Sequence, residues 1–463
     1  MRVFLGLTEV SGYYTWLEKG FHELGVDARL VSLYKHPFGY AAGRKDPAVV
    51  TLARLAVMRR VRALERGSGV FGRAVWLAAV VASRAVLFLW ALARFDVFIF
   101  SCGTSFFRYL ELPILRLFGR RIIHYFHGTD SRPAYVDGFC ESSFLPEASA
   151  TRTAYVGYIG EGESAEEALQ RTVAYVRATS ARKNSVSWIE RFADVVVSSP
   201  SYAHFHLRPI VQRVIIGRPS VPESSEYAPV QQERRGVVRI LHCPSVPEGK
   251  GTPRIREAVE TLKRRGLQIE YVELTGKPNQ EVLRQIHICD FVIDQLYSDL
   301  PLAGFSTEAA AFGKAAVIGG YYCEQINSDL QSRFIPPSLF CHPDRILEAI
   351  EKLVIDEKFR RELGERACEF VQRNWTAKRV AERFVQIIKG DIPEDWLFDP
   401  KRIRYVHGMG LSEERARKIV AAVVRYGGVE ALQLADKPEL EKSFVAFAFP
   451  GGLPDGVRGP AAS

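Results

Sequence analysis

At 463 residues the chain is long enough for two or three domains with sizeable cores. A composition of 47% hydrophobic and 25% charged residues, without repeats or long low-complexity tracts, excludes fibrous and wholly disordered classes. The net charge of +9 with pI near 9.1 calls for an anionic partner or a solvated basic face.

Seven scattered cysteines with no Cys-x-x-Cys pair read as reduced thiols, neither a disulfide frame nor a zinc site. Residues 1–10, MRVFLGLTEV, lack the basic head and long apolar stretch of a signal peptide and read as a first strand. Apolar, β-rich runs follow at 28–33, 96–101, 121–126, 194–199 and 214–217, after the first at 2–7. Helical periodicity separates them at 13–24, 51–66, 74–94, 105–118 and 168–192. That alternation predicts an α/β domain, residues 1–217, with a parallel sheet covered on both faces.

Between Arg44 and Arg94 the acidic residues are only Asp46 and Glu65, against a row of arginines and Lys45. Such an arm reads either as a solvated helix face or as a contact with anionic lipid headgroups, where each cation contributes about 1 kcal/mol. The run 74–93, AVWLAAVVASRAVLFLWALA, is long enough to span a bilayer, but Arg84 at its centre costs about 2.5–3.5 kcal/mol there. A buried or interfacial helix is the expectation.

Residues 218–236, RPSVPESSEYAPVQQERRG, have linker composition. The alternation then restarts over 237–390, with strands at 237–243, 269–275, 290–296, 315–319 and 339–342 and helices at 253–265, 279–288, 306–312, 344–354 and 357–373. Two Rossmann-like, doubly wound domains are therefore expected, with ligands bound outside the carboxyl ends of the strands. A helical appendage, 391–450, follows. It contains Gly408-x-Gly410, which reads as half of a helix-hairpin-helix or simply as a helix start capped by Ser412. The end, 451–463, has the composition of a disordered tail.

Two loops stand out. After strand 237–243, Lys250 lies between Gly249 and Gly251 just before a helix, where small neighbours let a backbone approach a phosphate and the helix start adds positive potential. After strand 290–296 comes Gly304-Phe305-Ser306-Thr307-Glu308. There Thr307 or Ser306 is expected to cap a short helix ended by Gly313, with amides at 305–307 open to phosphate oxygens. Each loop has a plain alternative: an exposed turn lysine, and a glutamate that merely complements a helix dipole.

Taken in order, the two loops resemble the nucleotide-binding half of GT-B glycosyltransferases, the family-4-like group especially. The matching residues are His242-Cys243-Pro244-Ser245 with Lys250-Gly251-Thr252, and Glu308 through Val317. The N-terminal half is similar to the acceptor lobe of that fold at 95–107 and 121–133, so the resemblance spans about residues 1–390. It implies that Lys250 contacts the donor diphosphate and Glu308 the ribose, with Ser245, Gly304, Phe305, Ser306 and Thr307 completing the donor site. It also implies that His127 lies beside the transferred sugar, with Asp130 or Arg132 engaging the acceptor and Gly12 offering amides to the distal phosphate.

Two departures stand against the family pattern. Leu300 occupies the position of an acidic residue near the sugar, with Asp299 adjacent, and Ser245 stands where an arginine is common. The expected activity is glycosyl transfer from a nucleotide-diphosphate sugar to a glycan or lipid-linked acceptor hydroxyl, retaining, with no cofactor. No Asp-x-Asp pair occurs, so no metal is expected. A cytoplasmic protein, free or peripheral at the inner membrane face, fits these features, and nucleic acid is not an expected partner. A non-catalytic scaffold and a nucleotide-sugar epimerase of the same fold are the alternatives.

Overall fold

The computed structural model describes residues 1–34, 46–67, 69–101, 103–139, 164–219 and 236–453. In chain order the first half comprises β1 (Arg2–Leu7), α1 (Tyr13–Glu23), β2 (Asp27–Ser32), α2 (Ala48–Glu65), α3 (Val70–Arg94) and β3 (Val97–Ser101). It continues with α4 (Leu112–Leu117), β4 (Arg121–Tyr125), α5 (Ala165–Phe192), β5 (Val195–Ser198), β6 (Ile210–Gln212) and α6 (Arg213–Ile216). The second half runs β7 (Val238–His242), α7 (Thr252–Arg264), β8 (Ile269–Glu273), α8 (Asn279–Ile288), β9 (Phe291–Ile293), α9 (Gly304–Ala311) and β10 (Ala315–Gly319). Then come α10 (Ile326–Asp329), β11 (Leu339–Cys341), α11 (Ile346–Ile355), α12 (Glu357–Asn374) and α13 (Ala377–Lys389). The tail holds β12 (Leu397–Phe398), α14 (Glu413–Gly427) and α15 (Pro438–Ala448).

Two sheets result, as the alternation predicts: β12-β6-β5-β4-β3-β1-β2 and β11-β10-β9-β7-β8. All neighbours pair in parallel except β12, which runs antiparallel to β6 through Leu397↔Val211 and Phe398↔Ile210. The fold is α/β with two Rossmann-like domains and a helical appendage. In each sheet the first strand lies between the second and third, so strand order reverses at β1 and at β7. At such a reversal the following loops diverge to opposite faces and leave a crevice at the carboxyl ends.

Some elements differ from expectation. The strand expected at 214–217 is instead the helical turn α6, ended by Gly217 at φ +90°, and the strand lies just before it at β6. The run IVQRVIIG, apolar on both sides of Gln212-Arg213, contains no period that separates the two forms. The helix expected over 105–118 is reduced to α4. Ahead of it the Glu111 carboxylate accepts the amides of Phe106 and Phe107 at 3.0 and 3.1 Å, and Arg108 and Tyr109 take positive φ. Most of the linker (220–235), the tail from 454, Arg44, Lys45, Cys102 and Cys140 lie outside the described residues.

The chain also crosses back earlier than expected. Helix α13, placed by the sequence within 237–390, packs on α1 of the first domain. A Cβ on Gly20 would stand 2.0 Å from the Ala377 carbonyl oxygen, so the two backbones touch there. Alanine is favoured over glycine in a helix interior by about 1 kcal/mol. Against that gain, overpacking of a closed contact costs about 1–3 kcal/mol, and here the obstacle is backbone that cannot rotate aside. Gly20→Ala is therefore expected to destabilise, read as a lower midpoint in urea unfolding; an unchanged or raised midpoint would show that α13 moves freely.

The appendage joins both domains. Gly138 N donates to Met409 O at 2.8 Å, Met409 N to Val136 O at 3.2 Å, and Gly410 N to Tyr297 O at 2.9 Å. The His407 ring stacks on Tyr321 with centroids 4.3 Å apart, and Glu413 N donates to the Tyr321 hydroxyl at 2.7 Å. Ser412 caps α14, its hydroxyl accepting from Arg415 N. A Cβ on Gly408 would meet the Val136 carbonyl oxygen at 1.5 Å. That glycine serves close packing inside the molecule.

Candidate functional site

At the β7 reversal point, outside the ends of β7, β8 and β9, lies a cavity of about 200 Å³. Of the residues expected at a donor site, Ser245, Lys250, Gly304, Phe305 and Glu308 line it. Ser11 enters from the first domain and Arg218 from the start of the linker that follows it.

Lys250 is held by the loop that follows β7. His242, at that strand's end, donates through Nδ1 to Ile293 O at 2.8 Å, and its Nε2 accepts from the Thr252 hydroxyl at 2.9 Å. This neutral, buried imidazole ties β7, β9 and the start of α7 together; burial lowers its pKa. Gly251 turns the loop at φ +71°, where a Cβ would meet the Leu296 side chain at 2.5 Å. The Lys250 ammonium donates to the Gln295 side-chain oxygen. Desolvation depresses its pKa below 10.5, opposed by the nearby charges of Asp294 and Asp299 and assisted by Arg218.

Helix α9 begins at Gly304, earlier than expected, so Ser306 and Thr307 are not its caps. The Ser306 hydroxyl accepts from Ala303 N at 2.8 Å and donates to Asp294 Oδ2 at 2.6 Å, while the Thr307 hydroxyl donates to Ala303 O at 2.6 Å. Both side chains are spent inside the protein, and neither lines the cavity. The amides of Gly304 and Phe305 have no acceptor among the described residues, and both residues line the cavity at the helix's positive end. Glu308 lies one turn into the helix; its Oε1 accepts from Asn279 Nδ2 at 2.9 Å.

Arg218 was not legible as a site residue because it opens the linker. Its guanidinium donates to Ser11 O at 3.0 Å and sits against Gly304, where a Cβ would come within 2.8 Å of it. The cation absent at Ser245 is thus matched by one from the start of the linker. Asp294, the carboxylate at the end of β9, was missed too; a polar residue just past a buried parallel strand was its only signal.

Across the gap the expectations change. The amides that open α1 are already occupied: the Glu9 carboxylate accepts Tyr14 N at 3.1 Å, Thr15 N at 2.8 Å and the Thr15 hydroxyl at 2.5 Å. Gly12, at φ +80°, supplies the turn into that helix, and its expected part in holding a phosphate is filled by the protein's own carboxylate. His127 is half-buried among tyrosines, its Nε2 3.1 Å from the Tyr14 hydroxyl. Desolvation, then Arg213 and Arg218, push its pKa well down, so the ring is neutral near pH 7.

The expected acceptor residues are engaged elsewhere. Asp130 Oδ1 accepts the amides of His127 and Gly128 at 2.9 and 3.0 Å and so shapes the loop. Arg132 is 0% exposed, pairs with Asp299 of the second domain and lies 3.6 Å from Asp137 Oδ1. Asp299 is consumed by this pair and Leu300 is buried, so neither brings a carboxylate to the cavity.

No protein-family model matches the chain, and no curated protein matches it. Among solved structures, Anabaena HepE in complex with UDP and glucose is similar at 10% identity over 84% of this chain and 98% of that one, TM-score 0.42. The glycotransferase of kitacinnamycin shows 11% identity over 84% and 98%, TM-score 0.41. The spinosyn rhamnosyltransferase SpnG shows 11% over 84% and 100%, TM-score 0.37.

Proposed function

We propose that this protein is a GT-B glycosyltransferase that moves a sugar from a nucleoside diphosphate to an acceptor hydroxyl. The observation that carries the reading is the convergence, in one cavity at a strand-order reversal, of three cations (Lys250, Arg218 and Lys277), two residues that open a helix and two buried carboxylates (Asp294 and Glu308). Lys250, Arg218 and the amides of Gly304 and Phe305 suit a diphosphate; Glu308, steadied by Asn279, suits ribose hydroxyls.

In the reaction, the acceptor oxygen bonds to the anomeric carbon as the bond from that carbon to the diphosphate oxygen breaks. The electron pair leaves on the phosphate, where Lys250, Arg218 and the α9 dipole stabilise it, and that oxygen takes the acceptor's proton. Neutral His127 fits a hydrogen bond to a sugar hydroxyl. Retention and independence of divalent metal follow the same reading. With Leu300 in place of a carboxylate, the sugar's far side is recognised by other groups. The acceptor is a glycan or a lipid-linked one, handled at the cytoplasmic face with α2 and α3 against anionic membrane.

The test is thermal-shift screening with UDP-, GDP-, ADP- and dTDP-sugars. One nucleotide is expected to raise the unfolding midpoint, and Glu308→Ala to abolish that rise. Free nucleotide should then appear only when acceptor is added. Silence with all four in the wild type would leave a non-catalytic scaffold, the reading that Leu300 favours. A pH profile adds a second check. Lys250 binds the diphosphate only when protonated, so affinity should fall as pH rises through its depressed pKa, below the ordinary 10.5. Lys250→Arg should push that alkaline loss to higher pH; an unmoved profile would exclude Lys250 as the titrating group.

A further inference from the structure

A second cavity, of about 630 Å³, lies between α2, α3 and the loop after β3. Small-molecule sites run roughly 300–1,000 Å³, so its size is that of a ligand chamber. Its walls are aliphatic and aromatic, from Val57 and Leu64 on α2, Val81 on α3 and Phe106 on the loop. Arg60, Arg84 and Arg108 line it as well, and among the described residues no carboxylate does.

Arg84 is the informative one. It is the lone charge in the middle of an otherwise apolar helix, and it is half-buried at the chamber wall. Here its Nη2 donates to the Tyr34 hydroxyl at 3.2 Å and its Nη1 reaches Phe106 O at 3.4 Å, both neutral partners. Its Nε is buried with no hydrogen-bond partner among the described residues. Among the described residues the guanidinium is anchored by neutral groups alone.

Around the chamber, the outer face of the α2–α3 hairpin leaves large apolar side chains in solvent. Val70 is 86% exposed, Phe71 84% and Leu89 63%. Large apolar side chains left exposed along such a hairpin mark an interaction surface. The chamber also adjoins the nucleotide cavity along the chain: Leu7 lines one and Ser11 the other. Four residues of extended chain reach at most about 14 Å.

We propose that this chamber binds the acceptor as a lipid phosphate, its aliphatic or isoprenoid chain between α2 and α3 and its phosphate at Arg84, Arg60 and Arg108. The lipid enters from the membrane on which the hairpin's apolar face rests. Its role as acceptor rests on the glycosyl-transfer reading; its binding does not.

The probe is dodecyl phosphate, titrated calorimetrically into the full chain below its micelle concentration, beside dodecyl maltoside and sodium phosphate. One molecule of dodecyl phosphate per chain is expected, at least tenfold tighter than either comparator. Arg84→Gln should weaken it tenfold or more, and Val81→Trp, which fills the chamber, should abolish it. Unfolding midpoints near the wild type's show each variant folded, and the three wild-type titrations stand if a variant fails to fold. Equal binding of the neutral detergent, or indifference to both folded variants, overturns the site. Phosphatidylglycerol vesicles that bind while dodecyl phosphate does not also overturn it, leaving only a membrane-facing surface. Lipid binding without any nucleotide shift refutes the transferase reading and the acceptor role while leaving the chamber as a lipid site.

Discussion

Lys250→Ala is expected to weaken nucleotide-diphosphate binding by about 2–4 kcal/mol, roughly thirtyfold to a thousandfold. The size follows from the setting. A charge-assisted contact in a desolvated pocket is worth more than a surface pair, and its loss leaves the diphosphate facing Asp294 with Arg218 and Lys277 as the remaining cations of the lining. Because the leaving phosphate gains charge during transfer, turnover should fall further than affinity. Titration calorimetry with the nucleotide found by screening, followed by initial rates, measures both. A variant that binds within threefold of the wild type would remove the electrostatic basis of the proposed activity.

Arg132→Met should be the most damaging single change to stability, at about 3–5 kcal/mol. The guanidinium is wholly enclosed between the two domains and answers Asp299 and Asp137. Removing it strands the Asp299 carboxylate in a dry site, whereas Asp137 keeps Arg182 at 2.9 Å. The double change Arg132→Met with Asp299→Leu should recover most of the loss, since apolar groups of similar volume substitute well for a buried pair. Unfolding midpoints of the two singles and the double measure the coupling. Additive effects would mean that Arg132 acts through packing on Tyr202, over whose ring it lies at 5.4 Å, and not through charge.

The parallel strands were legible because each is a short apolar run between turn residues; β1 and β10 match their expected bounds residue for residue. The Lys250 and Glu308 loops were legible because each carries its own chemistry beside a strand end. What could not be read is proximity across domains. Nothing local to Arg218 says that it meets Gly304, and nothing local to Glu9 says that it folds back on the amides of α1. Helix α13 declares an apolar face in its sequence but not which domain covers it. Asp130 and Arg132 look like accessible loop polars until packing shows one bonded to its own backbone and the other enclosed.

The segment from Tyr405 to Glu413 has a practical implication for dissecting this molecule. It hydrogen-bonds or stacks on both halves, so a chain trimmed near 390 would expose Tyr297, Tyr321 and Val136 at once. The two halves would lose a shared brace as well as a terminal ornament. Any opening and shutting of the molecule must either carry this brace along with one half or peel it from the other, which makes residues 405–413 the natural place to look for a hinge or a brake.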